Sequence, residues 1–201
     1  MLVAWNIGRL GLRSGPGIVL VSAALGLVIL LLGAAGGLDG HELGVGREQV
    51  GSGLRYGGMA FAAVTLVLVA AALPPAAQGY FADERVHVST GRMLLTVLFT
   101  IPIGTVLVEE CAFRGTLQGL LRAQFGPRTA IAFSALLFGL WHISGIYRHG
   151  TGTVLGTVAA TTLAGVGFGW LRERSGSLLA PMLAHTATNS VAFLVAWAVW
   201  R

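Results

Sequence analysis

The chain has 201 residues, of which 55% are hydrophobic and only 10% charged, and its mean hydropathy is +0.78. A soluble domain carries about 25% charged residues, so a water-soluble fold is excluded and an integral membrane protein is implied. The net charge of +5 comes from thirteen arginines and no lysine, scattered at segment ends rather than gathered in a stripe, which fits juxtamembrane anchoring and excludes nucleic acid as a partner.

At the N-terminus, Arg9 and Arg13 precede an apolar run ending in Ala34-Ala35-Gly36. The order is that of a secretory signal, but the run is long and further spans follow, so an uncleaved first helix is expected. Six segments are apolar over a length near the roughly 20 helical residues that a hydrocarbon core requires. They are Gly17–Ala35, Gly57–Ala77, Met93–Phe113, Thr129–Ile143, Thr153–Leu171 and Leu178–Trp200. Between the third and fourth, Arg114–Gln124 (RGTLQGLLRAQ) is amphipathic, which predicts a helix at the interface or re-entering the protein. Phe125-Gly126-Pro127 then reads as a break.

The expected fold is all-α, a polytopic transmembrane bundle of about six spans plus a short amphipathic or re-entrant helix. Residues 1–92 form an N-terminal membrane region of two spans and loops, and 93–198 a second unit. The linkers Gly36–Tyr56 and Gln78–Arg92 hold most of the remaining charges and read as surface loops. The run Gly165-Val166-Gly167-Phe168-Gly169 follows no strand and lies in an apolar segment, so it predicts close helix packing rather than a nucleotide loop. A positive-inside count of six arginines against seven sets no orientation.

The chemistry is concentrated in the C-terminal half. After the uncharged run Met93–Val108 come Glu109 and Glu110, two of only eight acidic residues in the chain. An ionisable group at membrane depth costs roughly 2.5–3.5 kcal/mol on insertion scales and marks a functional site by default. His142 ends the fourth segment, with Phe138 one turn before it. His185 lies in the last, with Asn189 four residues on. Residues four apart share a helix face, so Glu110 and Arg114 are expected to pair within their own helix, as His185 and Asn189 face one neighbour. Glu109 is rotated about 100° from Glu110, which predicts one paired and one freer carboxylate, a division that suits two different roles. Taken singly these residues have plainer readings: Glu110–Arg114 as a staple, Asn189 as helix-packing glue, each histidine as a satisfied core group. Their joint confinement to three apolar segments favours chemistry.

Cys111, the single cysteine, excludes a disulfide and a multi-thiolate metal site. With carboxylates beside it, it reads as a small packing residue rather than a nucleophile. His41, His87 and His149 lie in loops. No His-Glu-x-x-His is present, and Ser175-Gly176-Ser177 is a polar turn without a serine-hydrolase frame. Water activation by carboxylate and histidine remains. A proton-coupled carrier is disfavoured by the lack of an inverted repeat.

Glu109-Glu110-Cys-Ala-Phe-Arg114, Phe138-Gly-Leu-Trp-His142 and His185-Thr-Ala-Thr-Asn189 resemble, in order, the Glu-Glu-x-x-x-Arg, Phe-x-x-x-His and His-x-x-x-Asn motifs of the CPBP family. That family comprises type II CAAX prenyl endopeptidases and bacterial relatives implicated in bacteriocin immunity. The resemblance covers about Met93 to Ala198 and makes 93–198 the catalytic domain. It implies an intramembrane endopeptidase cutting near the C-terminus of a membrane-anchored, CAAX-type substrate. Glu109 is then the general base, with His142 sharing its water, and His185 and Asn189 stabilise the oxyanion. Glu110 and Arg114 orient the site and the substrate's end, and Phe138 packs behind His142. No cofactor is expected; zinc, if present, would take Glu109, His142 and His185. The alternative on the same scaffold is a catalytically silent binding or immunity factor. Membrane lipid and a membrane-anchored polypeptide are the expected partners. The arginine-only, Ala- and Gly-rich usage points to a bacterial cell membrane.

Overall fold

A long apolar run can satisfy its backbone groups in lipid only as a helix or in a closed barrel, and here it forms helices. The computed structural model describes residues 16–81, 84–147 and 150–200; Arg9, Arg13, Arg148, His149 and Arg201 lie outside the described residues. Six principal helices follow in order: α1 Pro16–Ala35, α2 Val50–Ala72, α3 Thr90–Phe125, α4 Pro127–Trp141, α5 Thr151–Ser175 and α6 Leu179–Val199. All but α4 are long and apolar enough to cross a membrane. The chain is an integral membrane protein with an all-α fold, as composition implied. At 15 residues, α4 rises about 22 Å, short of a core roughly 30 Å thick.

Local chemistry sets the ends. Ser89 caps α3, its hydroxyl accepting from Arg92 N–H. Gly126 turns the chain at φ +79° and Pro127 opens α4, an arrangement only glycine adopts without strain. Gly176, at φ +69°, closes α5. α2 departs from the expected Gly57–Ala77: it begins seven residues earlier, at Val50, and stops at Pro74-Pro75, where Leu73 is still helical but Pro74, which precedes Pro75, is extended at ψ 127°. Residues Pro75–Gln78 form a separate short turn.

Two expectations are corrected. Of the two placements expected for Arg114–Gln124, the protein interior holds and the interface does not, and the segment is not a separate helix. It continues α3, a rod of 36 residues, and its Arg114 and Gln118 are buried in the protein. The linkers are not merely surface loops. Leu38 and Leu43 are buried, and Arg172 donates to Glu42 O at 2.6 Å, strapping the first linker over the end of α5. In the second, Val86 is buried and Val88 O accepts from Trp197 Nε1 at 3.1 Å.

α3 lies at the centre, with α1 and α4 against it; α4 also packs along α5, and α2 along α6. Gly53 and Gly57 let α2 approach closely, since a Cβ on either would come within 3.0 Å of Leu179 or Ala180. Much of α3 is π-helical, over Thr96–Thr100, Pro102–Leu107 and Cys111–Leu117, and α6 is so over Ala187–Val191. Such turns recur at functional sites.

Proline accounts for one consequence of the π turns. Ile101 N–H bonds to Thr96 O rather than Val97 O, and Pro102 has no N–H to offer. Val97 O is left to Ser190 Oγ of α6, which donates to it at 2.9 Å. Other hydroxyl bonds tie helices together, among them Ser22 to Gly104 O, Ser52 to Ser175 O, Ser134 to Phe113 O and Thr116 to Ile29 O. Ser190→Ala should therefore cost about 1–3 kcal/mol, the price of an unsatisfied buried carbonyl, measured by thermal unfolding in detergent. Pro102→Ala in that background should recover part of the loss by restoring a main-chain donor. Wild-type stability in Ser190→Ala would show the hydroxyl to be idle.

Candidate active site

α3 carries Glu109 and Glu110 near its middle, between two π-helical segments. Both carboxylates are buried, as is Arg114. Arg114 Nη1 donates to Glu110 Oε1 at 3.1 Å, the ion pair that the four-residue spacing predicts. Its Nη2 donates to Gly165 O at 3.3 Å. The guanidinium lies 4.2 Å from the centre of the Phe138 ring and 5.2 Å from that of Phe168, distances at which a cation gains from the ring face. Enclosed in this way, Arg114 touches Glu110 and aromatic rings and presents no surface to a second molecule.

His185, on α6, links the two carboxylates. Its Nδ1 is 2.7 Å from Glu110 Oε1 and its Nε2 is 3.8 Å from Glu109 Oε2. Glu109 and Glu110 therefore meet opposite edges of one imidazole. That is a closer association than a 100° rotation suggests, and the wider π turns on either side reduce the rotation per residue. The division of roles in space is nonetheless clear. Glu110 Oε1 holds both Arg114 and His185, whereas neither oxygen of Glu109 has a hydrogen-bond partner.

The tautomers follow from the partners. A carboxylate paired with Arg114 accepts, so His185 Nδ1 carries the proton and Nε2 is the acceptor. Asn189 Nδ2 donates to that Nε2 at 3.1 Å. The two polar groups of α6, expected to face a common neighbour, thus bond to each other. His142 Nδ1 is 2.8 Å from Phe138 O; a carbonyl only accepts, so Nδ1 donates and Nε2 keeps its lone pair.

Phe138 joins the histidines. Its ring meets His142 at 4.8 Å and His185 at 5.7 Å, edge to face, so one ring touches both imidazoles. Two further residues belong to the cluster and were not singled out from sequence. Phe168 stacks on His185 at 4.8 Å with 20° between planes. Phe113 packs edge-on to Phe138 at 5.3 Å. The signal for Phe168 was its place among glycines: a Cβ on Gly165 would lie 3.0 Å from Ala135 Cα, so α5 comes close because that residue is small. Close packing holds likewise at Gly169, where Ile131 would be met at 3.2 Å, while Gly167 faces open space. Cys111 is fully buried against α1, in keeping with a packing role.

Zinc fits this arrangement poorly. Both ring nitrogens of His185 are engaged, one by Glu110 and one by Asn189. Among the described residues no group of three His, Cys, Asp or Glu is placed to hold an ion.

A helical membrane protein with a buried cluster of carboxylate, imidazole and amide is the class that fold and site define. The profile of the Rce1-like type II CAAX prenyl endopeptidases matches residues 91–191, half of the chain and all three motifs, and the chain belongs to that family of proteases. No curated protein and no solved structure matches it.

Proposed function

We propose that the protein is an intramembrane endopeptidase, hydrolysing a peptide bond near the C-terminus of a membrane-anchored polypeptide in a bacterial membrane. A prenylated CAAX-type end is the substrate form that the family's description names. The observation that carries the reading is Glu109, a buried carboxylate with two unpartnered oxygens beside an imidazole. A buried charge without partners is costly to fold, and a general base requires just such a free, desolvated oxygen.

In this reading Glu109 takes a proton from water that His142 Nε2 also holds. The hydroxyl oxygen bonds to the carbonyl carbon. Asn189 offers amide N–H to the developing oxyanion, and His185 orients that amide through Nε2. Lying 3.8 Å from Glu109, Nε2 can also receive the proton and become a second donor. Each such donor is worth about 10²–10³ in rate. The C–N bond then breaks, and the leaving nitrogen takes the proton that Glu109 removed. Glu110 and Arg114 hold His185 in place. Prenylated, otherwise lipidated and unmodified peptides, offered to the purified protein, test this. Cleavage should fall about 10²–10³-fold in His142→Ala and in His185→Ala. Undiminished cleavage in both variants, or no cleavage by wild type of any peptide, would overturn the assignment.

A further inference from the structure

α5 carries none of the three motifs, yet its run Gly165-Val166-Gly167-Phe168-Gly169 sends one large buried side chain into the site. Gly165, Phe168 and Gly169 share a helix face, being three or four residues apart or adjacent along it. The two glycines bring α5 in close. A Cβ at Gly165 would stand 3.2 Å from Arg114 Nη2, and one at Gly169 3.0 Å from Gln118 Oε1. Val166 and Gly167 face outward. Phe168 lies nearly parallel to His185, with 4.8 Å between ring centres and 20° between planes, and its centre is 5.2 Å from the Arg114 guanidinium. It therefore lies against both of the groups that Glu110 Oε1 bonds.

Core packing asks only for volume at this position, whereas the imidazole needs a flat face. Hydrogen bonds hold His185 at its two nitrogens, Nδ1 by Glu110 and Nε2 by Asn189. Two bonds in the plane of a ring resist its sliding. They resist its tilting about the line between the nitrogens less well, since a hydrogen bond weakens steeply only at large misalignment. Phe168 is stacked on the imidazole, while Phe138 stands at 90° to it. Tilt matters, because a working constellation tolerates only about 10–20° of error. Nε2 has to keep facing both Asn189 and Glu109, 3.1 and 3.8 Å away. We propose that Phe168 is a positioning residue for the hydrolysis. Its ring holds the plane of His185, so that Nε2 stays aimed at Asn189 and Glu109, and Gly165 and Gly169 let α5 deliver it. The effect on turnover rests on the peptidase reading; the holding of the imidazole does not.

The test has two arms, both built on Phe168→Leu, which keeps an apolar side chain and removes the flat face. The first uses no substrate. In histidine-labelled protein the Nδ1 proton of His185, identified in the magnetic resonance spectrum by its absence from His185→Ala, should exchange with water about tenfold faster in Phe168→Leu than in wild type. Phe168→Met, also without a ring, repeats the measurement should the first variant unfold early. Wild-type exchange in these variants overturns the proposal. In the second arm Phe168→Leu should lower kcat about tenfold and leave KM within roughly twofold, because the ring acts through His185. In the His185→Ala background the same change should lower the residual cleavage by less than about twofold, since the imidazole it holds is gone. An equal tenfold fall in both backgrounds would reduce Phe168 to packing, and a wild-type kcat in Phe168→Leu would remove it from the reaction; either result overturns its role in turnover. A wild type that cleaves no peptide refutes the peptidase reading instead, and the exchange rates still decide whether Phe168 holds the imidazole.

Discussion

Glu109→Gln should abolish most hydrolysis, lowering kcat by about 10²–10⁴-fold, while the folded protein becomes no less stable. The two halves of this expectation have one cause. Glu109 is 1% exposed and neither oxygen has a partner, so in the resting protein its charge is a cost with little return. The amide is of the same size and carries no charge to desolvate. Function, however, loses its only unengaged carboxylate in the cluster, since Glu110 is held by Arg114 and His185. Turnover measured beside thermal unfolding in the same detergent decides the matter. A variant that unfolds readily would make Glu109 a structural partner that the geometry does not show, and one that turns over at the wild-type rate would remove it from the chemistry.

The contrast between the two glutamates was legible in sequence because it depends on helix periodicity, which four-residue spacing records. Glu110–Arg114 is such a case. So is the placement of the three motifs in apolar runs, where each polar residue stands against its surroundings. What the sequence did not disclose depends on tertiary context. The π turns that bring both glutamates to one imidazole are stabilised by partners on other helices, such as Ser190 for Val97 O, and only Pro102 hints at them. Phe168 reads as ordinary apolar filling until α5 is laid beside His185. The spacing of His185 and Asn189 placed them on one face but could not say that they bond to each other. The buried parts of the linkers were obscured by the charges around them, although Leu38 and Leu43 are the residues that pack.

Loss of Arg114 should be the more damaging change to the fold. Arg114→Met removes the cation from a fully buried pair and leaves Glu110 beside Glu109 with no guanidinium near either. Removing one partner of a buried ion pair costs about 3–5 kcal/mol, and thermal unfolding should register it. Arg114→Lys should not rescue the protein fully. Lysine's point charge cannot bond Glu110 and Gly165 O in fixed directions while also sitting 4.2 Å from the centre of the Phe138 ring, as the guanidinium does. The informative variant is the double one, Glu110→Gln with Arg114→Met. It removes both charges together, and replacing a buried pair by neutral groups of similar size is often harmless or stabilising, so most of the stability should return. Hydrolysis should not return with it, because His185 Nδ1 loses the carboxylate that fixes its tautomer and orientation. If the double variant were both stable and fully active, the pair would be no more than a staple within α3. Stability regained with activity still lost would instead show that Glu110, which touches no reacting atom in the proposed reaction, serves by holding the histidine that faces Glu109.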